Sequence, residues 1–168
     1  MRAVIIAGGL GTRARALTGD RMPKALLPVA GVPIIFRQMR VLRREGIAAL
    51  TVLAGHLGAA LAAPLGEEAR ALGLALDVLI EDTPLGTAGC LSTLPPAGGD
   101  TFLVYGDMLF DIALGPLAAF HRAQDALITI VAHPNDHPRT SDLIREREGL
   151  VTAVEPATPG VQGRRPRP

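Results

Sequence analysis

Arg13 and Lys24 lie in the stretch "AVIIAGGLGTRARALTGDRMPKALLPVAGVPII", just beyond a short apolar run that ends in glycines. Gly8, Gly9 and Gly11, followed by Thr12, let the backbone come close enough to a ligand for its amide hydrogens to face phosphate oxygens. Arg13 is planar and always charged, a shape that forks two phosphate oxygens. Lys24, between Pro23 and Pro28, is a mobile point charge. A strand that runs into such a loop suits a polyphosphate. Two familiar phosphate loops are excluded. The Walker loop needs Gly-Lys-Ser/Thr, where this chain has Arg13-Ala14, and the dinucleotide fingerprint needs a third glycine where Ala14 stands.

The elements that must carry this loop follow from periodicity and punctuation. Apolar runs predict strands over 3–7, 47–54, 74–80, 101–105 and 126–132. Helical spacing predicts helices over 33–45, with Ile35, Met39 and Leu42 on one face and Gly46 as the stop, and over 86–94 and 116–124. Residues 58–72 are helical in composition, and Pro64 predicts a break into two short pieces. Strands separated by helices at this spacing predict an α/β fold with a doubly wound, mainly parallel sheet. In such sheets ligands collect beyond the carboxyl ends of the strands. The glycine loop, "EDTPLGTAG" with Glu81, and "GDM" with Asp107 all fall at that edge. A charged hairpin turning near Gly149 follows, with Leu143, Leu150 and Val154 as inward residues. Residues 1–157 read as one domain and 158–168 as a disordered tail.

Bulk properties narrow the function classes. The 168 residues suffice for one domain with a core that is 48% hydrophobic by composition yet only 3% aromatic, so Ala, Leu, Val and Ile must fill it. A net charge of +1 gives no reason to expect nucleic-acid or membrane partners. The single cysteine, Cys90, excludes an internal disulfide and fits a reducing compartment. Neither a signal peptide nor a membrane-length apolar run is apparent, and a cytoplasmic protein is expected. The sequence leaves a homo-oligomer open.

The three motifs together resemble the sugar-1-phosphate nucleotidylyltransferases over residues 2–156: G-G-x-G-T-R with a later Pro-Lys pair, the "EDTPLGTAG" loop, and a strand ending in Gly-Asp. The resemblance implies a Rossmann-like nucleotidyltransferase fold. It implies that Gly8, Gly9, Gly11 and Thr12 cradle a nucleoside triphosphate, with Gly86 and Thr87 also on the nucleotide. Arg13 and Lys24 would be the catalytic cations, and Asp107 would ligate Mg²⁺, a hard ion suited to a carboxylate beside phosphates. The implied reaction is attack of a sugar 1-phosphate oxygen on the α-phosphorus, with pyrophosphate leaving. The attacking phosphate is already ionised, so no general base is needed. Glu81 lies where family members meet the base, and a carboxylate accepts two hydrogens from guanine's edge; the alternative is a solvated or capping glutamate. "HPNDHPRTSDLI" resembles heptose-1-phosphate guanylyltransferases, so D-glycero-D-manno-heptose 1-phosphate is the first sugar expected, and mannose 1-phosphate the second.

Other candidates carry less. Cys90 reads as a small core residue. His133 and His137 have a ligand-like spacing, but a turn-rich surface loop is the better reading. Asp111 is either a supporting acid or a turn residue. The chain also departs from the family: "VEP" at 154–156 replaces a Lys-Pro or Glu-Lys-Pro, and the family's later half, with a second metal-binding aspartate, has no counterpart. A C-terminally truncated family domain is expected. The second functional reading is a non-catalytic nucleotide-binding or regulatory module.

Overall fold

The computed structural model describes residues 1–9, 21–83, 85–96, 98–134 and 141–157. The chain divides into two compact units, Met1–Arg122 and Ala123–Pro168.

The first unit is built on a four-stranded sheet of β1 (Arg2–Ala7), β4 (Ala49–Ala54), β5 (Ala75–Ile80) and β6 (Thr101–Tyr105). The spatial order is β5-β4-β1-β6 and every pairing is parallel. The central strands β1 and β4 read as near-continuous apolar runs because both of their faces are covered, as parallel sheets require. On one face Ala3 and Ile5 of β1, with Leu50 and Val52 of β4, meet α1 (Ile34–Arg44) through Ile35, Met39 and Leu42. Leu61, Leu65 and Ala69 of α2 (Ala59–Leu72) and Leu114 of α4 (Leu114–Ala123) join the same core. On the other face Val4 and Leu53 pack with Cys90, beside Leu91 and Leu94. That layer comes from the short α3 (Gly86–Gly89) and the 3-10 turn Cys90–Thr93. The doubly wound parallel sheet is as the sequence predicts.

Three predicted elements need correction. α2 is one helix, not two, although Pro64 lies inside it. The proline removes one intrahelical hydrogen bond, a cost of about 3 kcal/mol. Burial of Leu61 and Leu65, each worth about 1.5–3 kcal/mol, offsets that cost. Gly73, at φ 63°, then closes the helix with its N–H shared between the carbonyls of Ala69 and Arg70. Residues 86–94 form α3 and the 3-10 turn rather than a single α-helix. There the Ser92 and Thr93 hydroxyls donate to the carbonyls of Gly89 and Cys90, each at 2.7 Å. Residues 126–132 form no strand. An apolar run becomes a strand only with a ladder partner, and among the described strands none pairs with it; Leu127 is 95% exposed and Ile128 73%.

A small hairpin of β2 (Pro28–Val29) and β3 (Val32–Pro33) precedes α1, turning at Ala30 and Gly31, both with positive φ. This is the geometry that matches strand twist in a two-residue loop. The second unit contains the predicted hairpin: β7 (Leu143–Arg147) and β8 (Leu150–Glu155) turn at Glu148-Gly149, again with positive φ at both residues. Arg145 and Glu155 form an ion pair across it. Leu143, Leu150 and Val154 are exposed, contrary to the expectation that they face inward. Residues 158–168 lie outside the described residues. Among those described, no helix is long and apolar enough to cross a membrane.

Candidate active site

The chain steps from β1 outward to β4 and β5, then returns to place β6 on the other side of β1. The crevice between β1 and β6 is therefore the point where strand order reverses, and ligands of open α/β sheets bind at the carboxyl end of such a crevice. Gly8-Gly9 leave β1 there, and Gly106-Asp107 leave β6 beside them. The Gly106 N–H donates to the Ile6 carbonyl at 2.8 Å, carrying the pairing one residue past the strand. A Cβ on Gly106 would lie 3.1 Å from that carbonyl oxygen and 3.2 Å from the Ala7 Cβ.

Lys24 begins the 3-10 turn Lys24–Leu26, which the Leu26 N–H closes onto the Pro23 carbonyl at 2.9 Å. From that turn its Nζ reaches Asp107 Oδ2 at 2.6 Å. Lys24 is 38% exposed and Asp107 44%, so the pair contributes only about 0–1 kcal/mol to stability. Its significance is its place: a cation and an anion from opposite ends of the unit meet at the switch point.

Across the rim, the Glu81 N–H donates to the Ala54 carbonyl at 2.8 Å, extending the β4–β5 ladder. Its side chain turns toward β1, so that a Cβ on Gly8 would lie 3.3 Å from Glu81 Oε2. Glu81 Oε1 is buried without a hydrogen-bond partner among the described residues. Burial first, then the Glu81 charge, pushes the Cys90 thiol up from its ordinary value. Cys90 is the core residue the sequence predicts.

Gly86 opens α3 with φ 78°, and Thr87 follows it, its side chain outside what is described. Gly11, Thr12 and Arg13 also lie outside the described residues, as does His137. His133 is exposed, its ring nitrogen 2.8 Å from the Pro134 carbonyl. Asp111 pairs with Arg44 at the end of α1, so it braces the β6–α4 connection.

Two residues of the site have no sequence motif. Gly55, directly after β4, lies so close to Gly8 that a Cβ would fall 2.5 Å from the Gly8 carbonyl oxygen. Only a glycine following a strand could have signalled it. Gln38, buried on α1, donates from Nε2 to the carbonyls of Tyr105 at 2.8 Å and Met108 at 2.6 Å. A polar residue on the apolar face of α1 was its only trace.

Residues 2–150 match the family model described as nucleotidyl transferase. The chain belongs to that family. Among curated proteins, it is 36% identical to a mannose-1-phosphate guanylyltransferase of Mycobacterium tuberculosis over 132 residues, 76% of this chain and 36% of the relative. It is 31% identical to a mannose-1-phosphate guanyltransferase of Candida albicans over 142 residues, 82% of this chain and 39% of the relative. The chain thus spans less than two fifths of the length of either. Among solved structures, a Bacillus anthracis protein provisionally described as a glucose-1-phosphate thymidylyltransferase, in complex with a sucrose, superposes with a TM-score of 0.73. It shares 23% identity, covering 95% of this chain and 65% of the neighbour, and establishes the fold. In this member of the family, the Lys24–Asp107 pair and the glycine rim lie on the edge where α/β sheets bind ligands.

Proposed function

We propose that this chain transfers a nucleoside monophosphate, GMP from GTP, onto a sugar 1-phosphate and releases pyrophosphate. The observation that carries the reading is the meeting of Lys24 and Asp107 at the β1–β6 switch point, beside Gly8-Gly9. An oxygen of the sugar phosphate forms a bond to the α-phosphorus as the bond from that phosphorus to the bridging oxygen breaks, and the electron pair leaves with pyrophosphate. Catalysis is then positioning and charge neutralisation. Lys24 turns its ammonium from Asp107 to the phosphates; Gly8, Gly9, Gly11 and Thr12 line them, and Arg13 neutralises the departing pyrophosphate. The donor set fits Mg²⁺, which binds through one or two carboxylates together with substrate phosphates. Asp107, half-exposed at the crevice, would hold it, and the ion would supply charge neutralisation at the phosphates.

Guanine is favoured because the orphaned Glu81 Oε1 and its partner oxygen can both accept from the base's N1–H and amino group, and Gly86 and Thr87 lie in the loop that follows. The curated relatives named above, both guanylyl transferring on mannose 1-phosphate, favour the same base. The sugars proposed are D-glycero-D-manno-heptose 1-phosphate and, second, mannose 1-phosphate. The test is pyrophosphate release by the purified chain with Mg²⁺, each nucleoside triphosphate being tried with each sugar phosphate. Turnover with GTP and one sugar is expected. Turnover only with a pyrimidine nucleotide would overturn the role of Glu81. GTP binding without turnover would support instead a second reading, a nucleotide-binding module.

A further inference from the structure

Gln38 is 1% exposed, on a helix whose other buried side chains are apolar. Its amide has two hydrogens, and both are spent on one short segment of main chain: Nε2 donates to Tyr105 O at 2.8 Å and to Met108 O at 2.6 Å. Those two carbonyls bracket Gly106-Asp107. The same turn is closed internally by the Met108 N–H onto Tyr105 O at 3.2 Å, and tied to β1 by the Gly106 N–H onto Ile6 O. The Asp107 backbone is therefore pinned from the sheet and from the helix, while its carboxylate stays exposed to meet Lys24.

The Lys24 segment hangs from the same helix. Arg37, adjacent to Gln38, donates from Nε and Nη2 to Val29 O at 3.1 and 2.6 Å, which fixes the β2–β3 hairpin. The Ile34 N–H, at the start of α1, donates to Leu27 O at 3.1 Å, and the Leu27 N–H closes the turn onto Lys24 O at 3.0 Å. One helix thus carries both halves of the pair. Gln38 Oε1, buried and without a partner among the described residues, shows that the site keeps a polar side chain here at a cost that an apolar residue would avoid.

We propose that Gln38 is a positioning residue, which sets the reach of Asp107 toward Lys24 and toward a phosphate-bound cation by donating both amide hydrogens across the Gly106-Asp107 turn. The part that concerns the cation rests on the function proposed above; the part that concerns the turn does not. The variants are Gln38→Leu and Gln38→Met, both of similar volume and both without amide donors.

Amide hydrogen exchange of the ligand-free chain comes first. Exchange at Gly106 and Met108, whose N–H groups close and tether the turn, should quicken roughly ten-fold in Gln38→Leu, with β1 and β4 amides unchanged. Uniform quickening across the sheet, or none at the turn, would overturn the proposal, since it would leave Gln38 a packing residue alone. The second measurement is the Mg²⁺ concentration giving half-maximal binding of a fluorescent guanine nucleotide. Gln38→Leu should raise it about 10–100-fold, as loss of an outer support to a metal ligand does. In the Asp107→Ala background the same change should add nothing, and an additive effect would overturn the proposal. Should the wild-type chain bind no nucleotide at all, the proposed function fails while hydrogen exchange still decides whether Gln38 holds the turn. Should Gln38→Leu fail to fold, Gln38→Met, which keeps the unbranched shape without donors, is measured in its place with the same outcomes expected.

Discussion

The two sides of the rim are held in place by different physics. On the β1–β6 side the Asp107 turn is held by directed hydrogen bonds from a side chain, Gln38, and from the Gly106 amide. On the β1–β4 side no side-chain hydrogen bond crosses among the described residues: Gly8 and Gly55 touch backbone to backbone, with no space for a Cβ on Gly55. The first arrangement can flex and re-form when a ligand arrives. The second can only keep its distance or break. On the function proposed above, the site would release a carboxylate from a lysine while keeping a phosphate cradle rigid, and one of each arrangement would serve it.

Substitutions separate the two sides. Lys24→Ala and Asp107→Ala, on the directed side, should each lower pyrophosphate release roughly 10²–10³-fold, the loss typical of a preorganised charge at a transferring phosphoryl group. Their unfolding free energies in urea should stay within about 1 kcal/mol of wild type. A large stability loss from either would place the pair in the fold rather than in the site. Gly55→Ala, on the steric side, should do the reverse. Its Cβ must displace the Gly8 backbone, so a stability loss of about 1–3 kcal/mol is expected, with nucleotide binding impaired in whatever fraction folds. A stable Gly55→Ala with normal binding would show that the cradle tolerates movement.

Glu81→Gln tests base choice at the far end of that side. It keeps the shape but removes the charge, and preference for GTP over UTP should fall roughly 10–100-fold. An unchanged preference would leave Glu81 as a structural glutamate. Cys90, buried beside it with its thiol pushed up, should react with a thiol reagent only slowly at neutral pH, and faster as the solution is made alkaline, because the thiolate is the reactive form. The smallest effect is expected from Leu127→Ser. Its side chain is almost wholly exposed, and stability should move by no more than about 0.5 kcal/mol.

The sheet was legible in the sequence because β1 and β4, covered on both faces, read as short apolar runs, and the half-exposed edge strands β5 and β6 still read as mostly apolar runs bounded by turn residues. The run at 126–132 has the same composition and makes no strand, because a run specifies apolar character and not the partner that turns it into a ladder. Pro64 misled in the opposite direction: local chemistry favoured a break, and burial of Leu61, Leu65 and Ala69 overrode it. Within the site, Lys24 and Asp107 could be named from their motifs, but not that they meet 2.6 Å apart across a sequence separation of 83. Gln38 lies 67 and 70 positions from the carbonyls it holds, and Gly55 differs from any other glycine only in what folds against it. Such residues act through tertiary placement, to which neither spacing nor composition is sensitive.

Lys24 has one further property: it is the only lysine in the chain. Apart from the terminal amine of Met1, every reagent or enzyme that acylates amines has a single target here, and that target is the partner of Asp107. Amine coupling to a surface, biotinylation or acetylation of this protein would therefore not decorate it at random. Each would cancel the charge that Lys24 presents to Asp107, so a preparation labelled to completion has the Lys24–Asp107 pair undone.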